Sequence, residues 1–280
     1  MASAVAAALG LTVASGVQNV AHASGCGSYI TTATNANTFN NWTNLPTTDH
    51  NAIVFATGGW AGTYDNHPIG VWWTGAQWAV FNHDVAAMPL GATFHILSSA
   101  AFSSPTQDVF IHTATTSNIV GAYTILNDPV ANGNPNAIVQ VTANYNPPGL
   151  GSAYNNHAIG VWYTGSRWAI FNQDLAAMPV GAHFNVFVNI DPVSNPNSGT
   201  YTHTSNNGNV AGNVTYLPTP TVSASTVLLA TPNYNPGGVG GALHNHNIGV
   251  WWSGANWTVF NQDVAAMALG HSFNVYWQTC

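Results

Sequence analysis

Short apolar runs, each cut off by Asn, Gly or Pro, set the pattern of this chain. Runs such as Ala137-Ile138-Val139-Gln140-Val141-Thr142 and Phe184-Asn185-Val186-Phe187-Val188 are rich in β-branched and aromatic residues, the chemistry of strands. Beyond the N-terminal segment, no stretch sustains a helical period flanked by caps. The segment Asp174-Leu175-Ala176-Ala177-Met178 is expected to make one short helical turn before Pro179. The predicted class is all-β.

Internal comparison then divides the chain. Residues 66–84 read NHPIGVWWTGAQWAVFNHD, residues 156–174 read NHAIGVWYTGSRWAIFNQD, and residues 245–263 read NHNIGVWWSGANWTVFNQD. Each is followed by a matching tail. The expected organisation is a signal peptide over 1–23 and β repeats over 27–105, 106–195 and 196–280. Three tandem β-sandwich or jelly-roll-like repeats are the first expectation. One pseudo-threefold, propeller-like assembly is the alternative.

The motif also predicts a register. Taking Gly75-Ala76 as a hairpin loop, with the glycine supplying positive φ, sets Trp73 opposite Trp78, Val71 opposite Val80 and Ile69 opposite Asn82. A four-residue loop gives the same partners. His67 then faces Asp84, and the equivalent pairs are His157 with Asp174 and His246 with Asp263. Alternation puts Ile69, Val71, Trp78 and Val80 on one face and Trp72, Ala79 and Phe81 on the other. Both faces are apolar, so the hairpin is expected to be covered on both. Gly70, Gly160 and Gly249 are expected to leave room for the neighbouring Trp72, Trp162 and Trp251.

The pattern N-H-x-I-G-V-W-(W/Y), followed by W-(A/T)-(V/I)-F-N-(H/Q)-D-x-A-A-M, resembles a repeat module of secreted bacterial proteins, an uncharacterised family. The resemblance covers essentially the whole mature chain. It implies extracellular β-rich repeats and brings no activity or site residues with it.

Charge narrows the function classes. Among 280 residues there are one basic side chain, Arg167, and eight acids, all Asp. A phosphate-tracking groove cannot be built from one cation, which excludes nucleic acid as a partner. Formal charge is −7 with neutral His and would reach +5 if all twelve His were protonated, so a charge reversal in mild acid is expected. The apolar run over 2–14 and the A-x-A pattern at Ala21-His22-Ala23 read as a secretory signal, hence a secreted location. No later run is long enough for a membrane span. Cys26 and Cys280, the two cysteines of the chain, are expected to form one disulfide joining the ends.

Three chemistries remain as candidates. The His67–Asp84, His157–Asp174 and His246–Asp263 pairs are expected to act as structural staples, with a calcium site or a ligand or catalytic site as alternatives. No repeated Ser or Cys nucleophile accompanies them, so no catalytic residue is assigned. No metal ligand set is assigned either: His244 and His246 form a weak chelate present in the third repeat alone, and His83, His95, His183 and His271 are scattered. The loops before the hairpin place Trp60, Asn144-Tyr145 and Asn233-Tyr234 in Gly-rich settings. Rings and amides suit a sugar's apolar face and hydroxyls, which makes these residues candidate ligand contacts. The functional expectation is a secreted, non-catalytic protein that binds glycan or cell-surface polymer. A structural coat protein and a His–Asp hydrolase are the alternatives.

Overall fold

The computed structural model describes residues 27–147, 150–191, 197–218 and 223–279. The expected leader and both cysteines lie outside them. The first repeat contributes β1 (Ser28–Thr32), β2 (Thr38–Phe39), β3 (Trp42–Asn44), β4 (Ile53–Gly59), β5 (Ile69–Trp73), β6 (Trp78–Asn82) and β7 (Thr93–Ser99). The second contributes β8 (Phe102–Ser103), β9 (Gln107–Thr113), β10 (Ile119–Val120), β11 (Tyr123–Ile125), β12 (Ile138–Asn144), β13 (Ile159–Tyr163), β14 (Trp168–Asn172) and β15 (His183–Asn189). The third contributes β16 (Ser198–Thr204), β17 (Val210–Ala211), β18 (Val214–Tyr216), β19 (Val227–Asn233), β20 (Ile248–Trp252), β21 (Trp257–Asn261) and β22 (Ser272–Gln278).

Each repeat is a small two-layer sandwich. In the first, the layer β1-β7-β4 packs on the layer β2-β3-β6-β5. Val54, Val71, Trp78, Val80, Phe94 and Ile96 fill the space between them. Equivalent cores lie in the second and third repeats. The hairpin register matches the expectation: Trp73 pairs with Trp78, Val71 with Val80, Ile69 with Asn82, and the other two copies agree. The loop spans Thr74 to Gln77. Gly75 has φ +100°, and the Thr74 hydroxyl closes the turn by donating to the Gln77 carbonyl at 2.7 Å.

The two expected architectures coexist, because no sandwich keeps its sheets to itself. β5 of the first repeat pairs in parallel with β12 of the second. β13 of the second pairs with β19 of the third, and β20 of the third returns to β4 of the first. The result is a closed pseudo-threefold ring of two 7-stranded sheets and one 8-stranded sheet. Each sheet runs from one repeat into the next, so these are shared walls rather than the separate blades of a propeller.

Around the axis, β4, β12 and β19 contact one another. Their residues alternate between the sandwich core of their own repeat and the axis. A second apolar cluster sits on the axis and includes Phe55 and Leu97 from the first repeat, Val109 and Phe187 from the second, and Leu229 from the third. Above it lies a hydroxyl ring. Thr142 Oγ1 accepts from the Ala56 amide, Thr231 Oγ1 from the Val141 amide and Thr57 Oγ1 from the Ala230 amide, each at 3.1 Å. These bonds satisfy backbone donors that face no neighbouring strand.

Two expectations are corrected. Asp174–Met178 does not form a helical turn: Leu175 has φ +63°, and its equivalents Val85 and Val264 have φ +58° and +55°. The Leu175 amide donates to the Asn172 carbonyl at 2.9 Å, which makes the segment a tight turn. The glycines of the hairpin do not make room for tryptophan. A Cβ on Gly70 would stand 2.3 Å from His83 Nε2 and 2.9 Å from the Ala143 carbonyl oxygen of the next repeat. Gly160 faces Gln173 and the Pro232 carbonyl in the same way. At Gly70 and Gly160 a side chain of the same repeat stands nearest and a carbonyl of the adjoining repeat next, while at Gly249 the Phe260 ring and Gln262 fill the space. The glycine is therefore required by close packing across the hairpin and not by the neighbouring tryptophan.

Candidate functional site

The three His–Asp pairs form. His67 Nδ1 lies 2.5 Å from Asp84 Oδ2, and His157–Asp174 and His246–Asp263 are each 2.7 Å apart. The second carboxylate oxygen of each Asp accepts the amide two residues on, Ala86, Ala176 or Ala265, at 3.0 Å. Each Asp therefore ties the end of its hairpin to the left-handed turn that follows it. Burial pushes the Asp174 carboxyl up, but the Ala176 amide and His157 outweigh it and the group lies below the usual range. Asp263 is lowered in the same way, by His246 and the Ala265 amide against burial. The pairs are about one-third exposed, so each contributes on the order of 1 kcal/mol or less.

Ring closure brings these pairs to one place. His67, His157 and His246 line an axial cavity of about 80 Å³ whose walls also carry Thr57, Thr142 and Thr231. A wider mouth of about 270 Å³ adds Asn66, Asn156 and Asn245. With Nδ1 committed to the carboxylate, Nε2 of each imidazole remains for other partners. Among the described residues, no three His, Cys, Asp or Glu side chains stand close enough to hold one metal ion. Beside the mouth, Asp65 is buried and its carboxyl is pushed up to about 6 by desolvation, against the lowering effects of His67 and an Asn82 hydrogen bond.

The candidate sugar-contact residues fare unequally. Asn144 and Asn233 are buried, and their amides donate to Asn185 Oδ1 and Asn274 Oδ1 at 2.9 Å. They belong to the scaffold: Asn185 and Asn274 in turn donate to the Val54 and Val139 carbonyls of the preceding repeats. Tyr145 stacks on Tyr154 with ring centres 4.3 Å apart, which leaves no slot between them. Tyr234 packs edge-on to Phe171 and Trp162, and a Cβ on Gly241 would lie 2.2 Å from its ring. The glycine loop rests directly on that tyrosine.

Trp60 differs. Its ring meets Trp251 of the third repeat at 5.6 Å and Tyr64 at 6.1 Å. These rings, with Phe260, Val214 and Asn213, line an open cavity of about 230 Å³. Trp60 Nε1 is buried with no acceptor among the described residues. The third-repeat half of this site is missing from the sequence expectations. The hairpin motif marks Trp251 and Phe260, but their meeting with Trp60 requires the parallel β4–β20 pairing, which has no local signal.

The comparisons with known proteins concern the family alone. The model for a domain of unknown function, DUF7452, matches three times, over residues 15–98, 99–188 and 190–277. No curated protein and no solved structure matches the chain.

Proposed function

Because the chain belongs to the DUF7452 family, whose description assigns no activity, we propose from its geometry that it is an extracellular, non-catalytic binding protein for glycan. The single observation behind this reading is the Trp60–Tyr64–Trp251 cavity between the third and first repeats. Perpendicular rings give an apolar wall for the C–H face of a pyranose. The near-absence of charge suits a neutral ligand. The apolar run and A-x-A pattern at the N-terminus support the secreted setting.

The test is a titration of the intact protein with neutral and acidic oligosaccharides, read by tryptophan fluorescence and calorimetry. Binding should weaken about tenfold or more in Trp60→Ala, the scale of losing an aromatic anchor. It should be unchanged in Tyr154→Ala, on the closed cluster. No binding across cell-wall and matrix sugars, or binding indifferent to Trp60→Ala, would reject the reading.

A further inference from the structure

The third repeat holds a histidine arrangement that its sisters lack. His244 Nδ1 and His271 Nδ1 lie 2.6 Å apart, with ring planes at 89°. The corresponding positions are Asp65 and Ala92 in the first repeat, and Asn155 and Ala182 in the second. Both backbones are anchored: the His244 amide donates to Gln173 Oε1 at 2.9 Å, and the His271 amide donates to Ser205 Oγ at 3.0 Å. His244 is buried and His271 half-buried.

The surroundings set the tautomer. In the sister repeats the residue at the His244 position bonds a buried Asn: Asn82 Nδ2 donates to Asp65 Oδ1, and Asn155 Nδ2 donates to Asn172 Oδ1. The equivalent atoms here, His244 Nε2 and Asn261 Oδ1, are buried and have no other partner. A proton on Nε2 facing that carbonyl leaves the Nδ1 lone pair of His244 aimed at His271. Such outer hydrogen bonds are how metal-binding imidazoles are oriented.

We infer that His244 and His271 form a two-imidazole site for one divalent transition-metal ion, bound through the two Nδ1 atoms, with water in the remaining positions. Metal–nitrogen bonds of about 2.0–2.1 Å set two ligand nitrogens roughly 3 Å apart, a few tenths beyond the present spacing. To bind one ion, both rings must turn so that the two Nδ1 lone pairs, now aligned along the hydrogen bond, converge on a point beside it. The proton between the rings moves to His271 Nε2, so no net proton is released. His246 stands nearby, with ring centres 5.4 Å from His244, but its Nδ1 is engaged by Asp263. With two protein ligands, affinity should follow the general order for nitrogen sites, copper(II) above nickel(II) and zinc(II).

The experiment titrates the untagged full chain with copper(II), nickel(II) and zinc(II) chlorides by calorimetry, and reads copper(II) by electron paramagnetic resonance. One tight equivalent is expected, with hyperfine structure from two nitrogens. His271→Ala and His244→Asn place here the residues that the second repeat already carries, so folding is preserved and checked by circular dichroism. Each should weaken binding about tenfold or more, while His157→Ala leaves it unchanged. Wild-type binding no tighter than either variant, fewer than two coupled nitrogens, or equal loss in His157→Ala would overturn the assignment.

Discussion

Four of the six buried imidazoles, lying in the cores and interfaces, tie stability to pH. Burial pulls His83 and His95 down to about 3, and His112 and His203 down to about 4, with His183 adding slightly to the fall at His112. His112 and His203 each meet a threonine hydroxyl at 2.7 Å, His95 accepts the Leu228 amide, and His83 packs against the Phe81 ring with no hydrogen-bond partner among the described residues. The unfolded chain takes up these protons near pH 6.5 and the folded chain does not, so stability is present above that value and falls as pH drops below it. At pH 5 each such histidine costs about 2 kcal/mol, and four together rival the whole net stability of a domain. Asp65 acts in the opposite sense, since its raised value makes it costly above pH 6 and cheaper below. Urea midpoints measured from pH 8 to 5 should hold and then drop steeply below about 6.5; a flat profile would refute the account. The charge swing expected from twelve titrating histidines is correspondingly smaller while the protein stays folded.

The hairpin shows what the sequence makes legible at the level of elements. Its register, its two apolar faces and its three His–Asp closures follow from alternation and loop length, both local rules. The role of Gly70 did not follow, because Ala143 lies in another repeat. Gly70→Ala should destabilise by about 1–3 kcal/mol. Adding His83→Ala should recover part of the loss, since the Ala143 carbonyl remains 2.9 Å from the new Cβ. Urea unfolding of the two variants decides it, and a Gly70→Ala midpoint equal to wild type would refute the contact. A related coupling separates the first repeat from its sisters. A Cβ on Gly59 would crowd Thr93 and His95, whereas the other repeats carry Asn144 with Asn185 and Asn233 with Asn274. The loop rings of Trp60, Tyr145 and Tyr234 looked equivalent in sequence, yet Trp60 opens on a cavity while Tyr154 and the Gly241 loop cover the other two.

For the molecule as a whole, the parallel pairings are what the sequence hides: no turn or alternation marks which strand of another repeat β5, β13 or β20 will join. Those pairings are head-to-tail, each repeat offering a hairpin forward and a strand edge backward, and three steps complete a full rotation. Such an interface needs no covalent link between successive units. A polypeptide of residues 106–195 alone should therefore assemble into a threefold homotrimer. Sedimentation equilibrium tests this, and a stable folded monomer would contradict it. The tandem chain would then be a trimer whose subunits have been fused. Fusion frees each unit to diverge without losing its neighbours, and the His244–His271 pair of the third repeat and the Trp60–Trp251 cavity between the third and first are what that freedom permits.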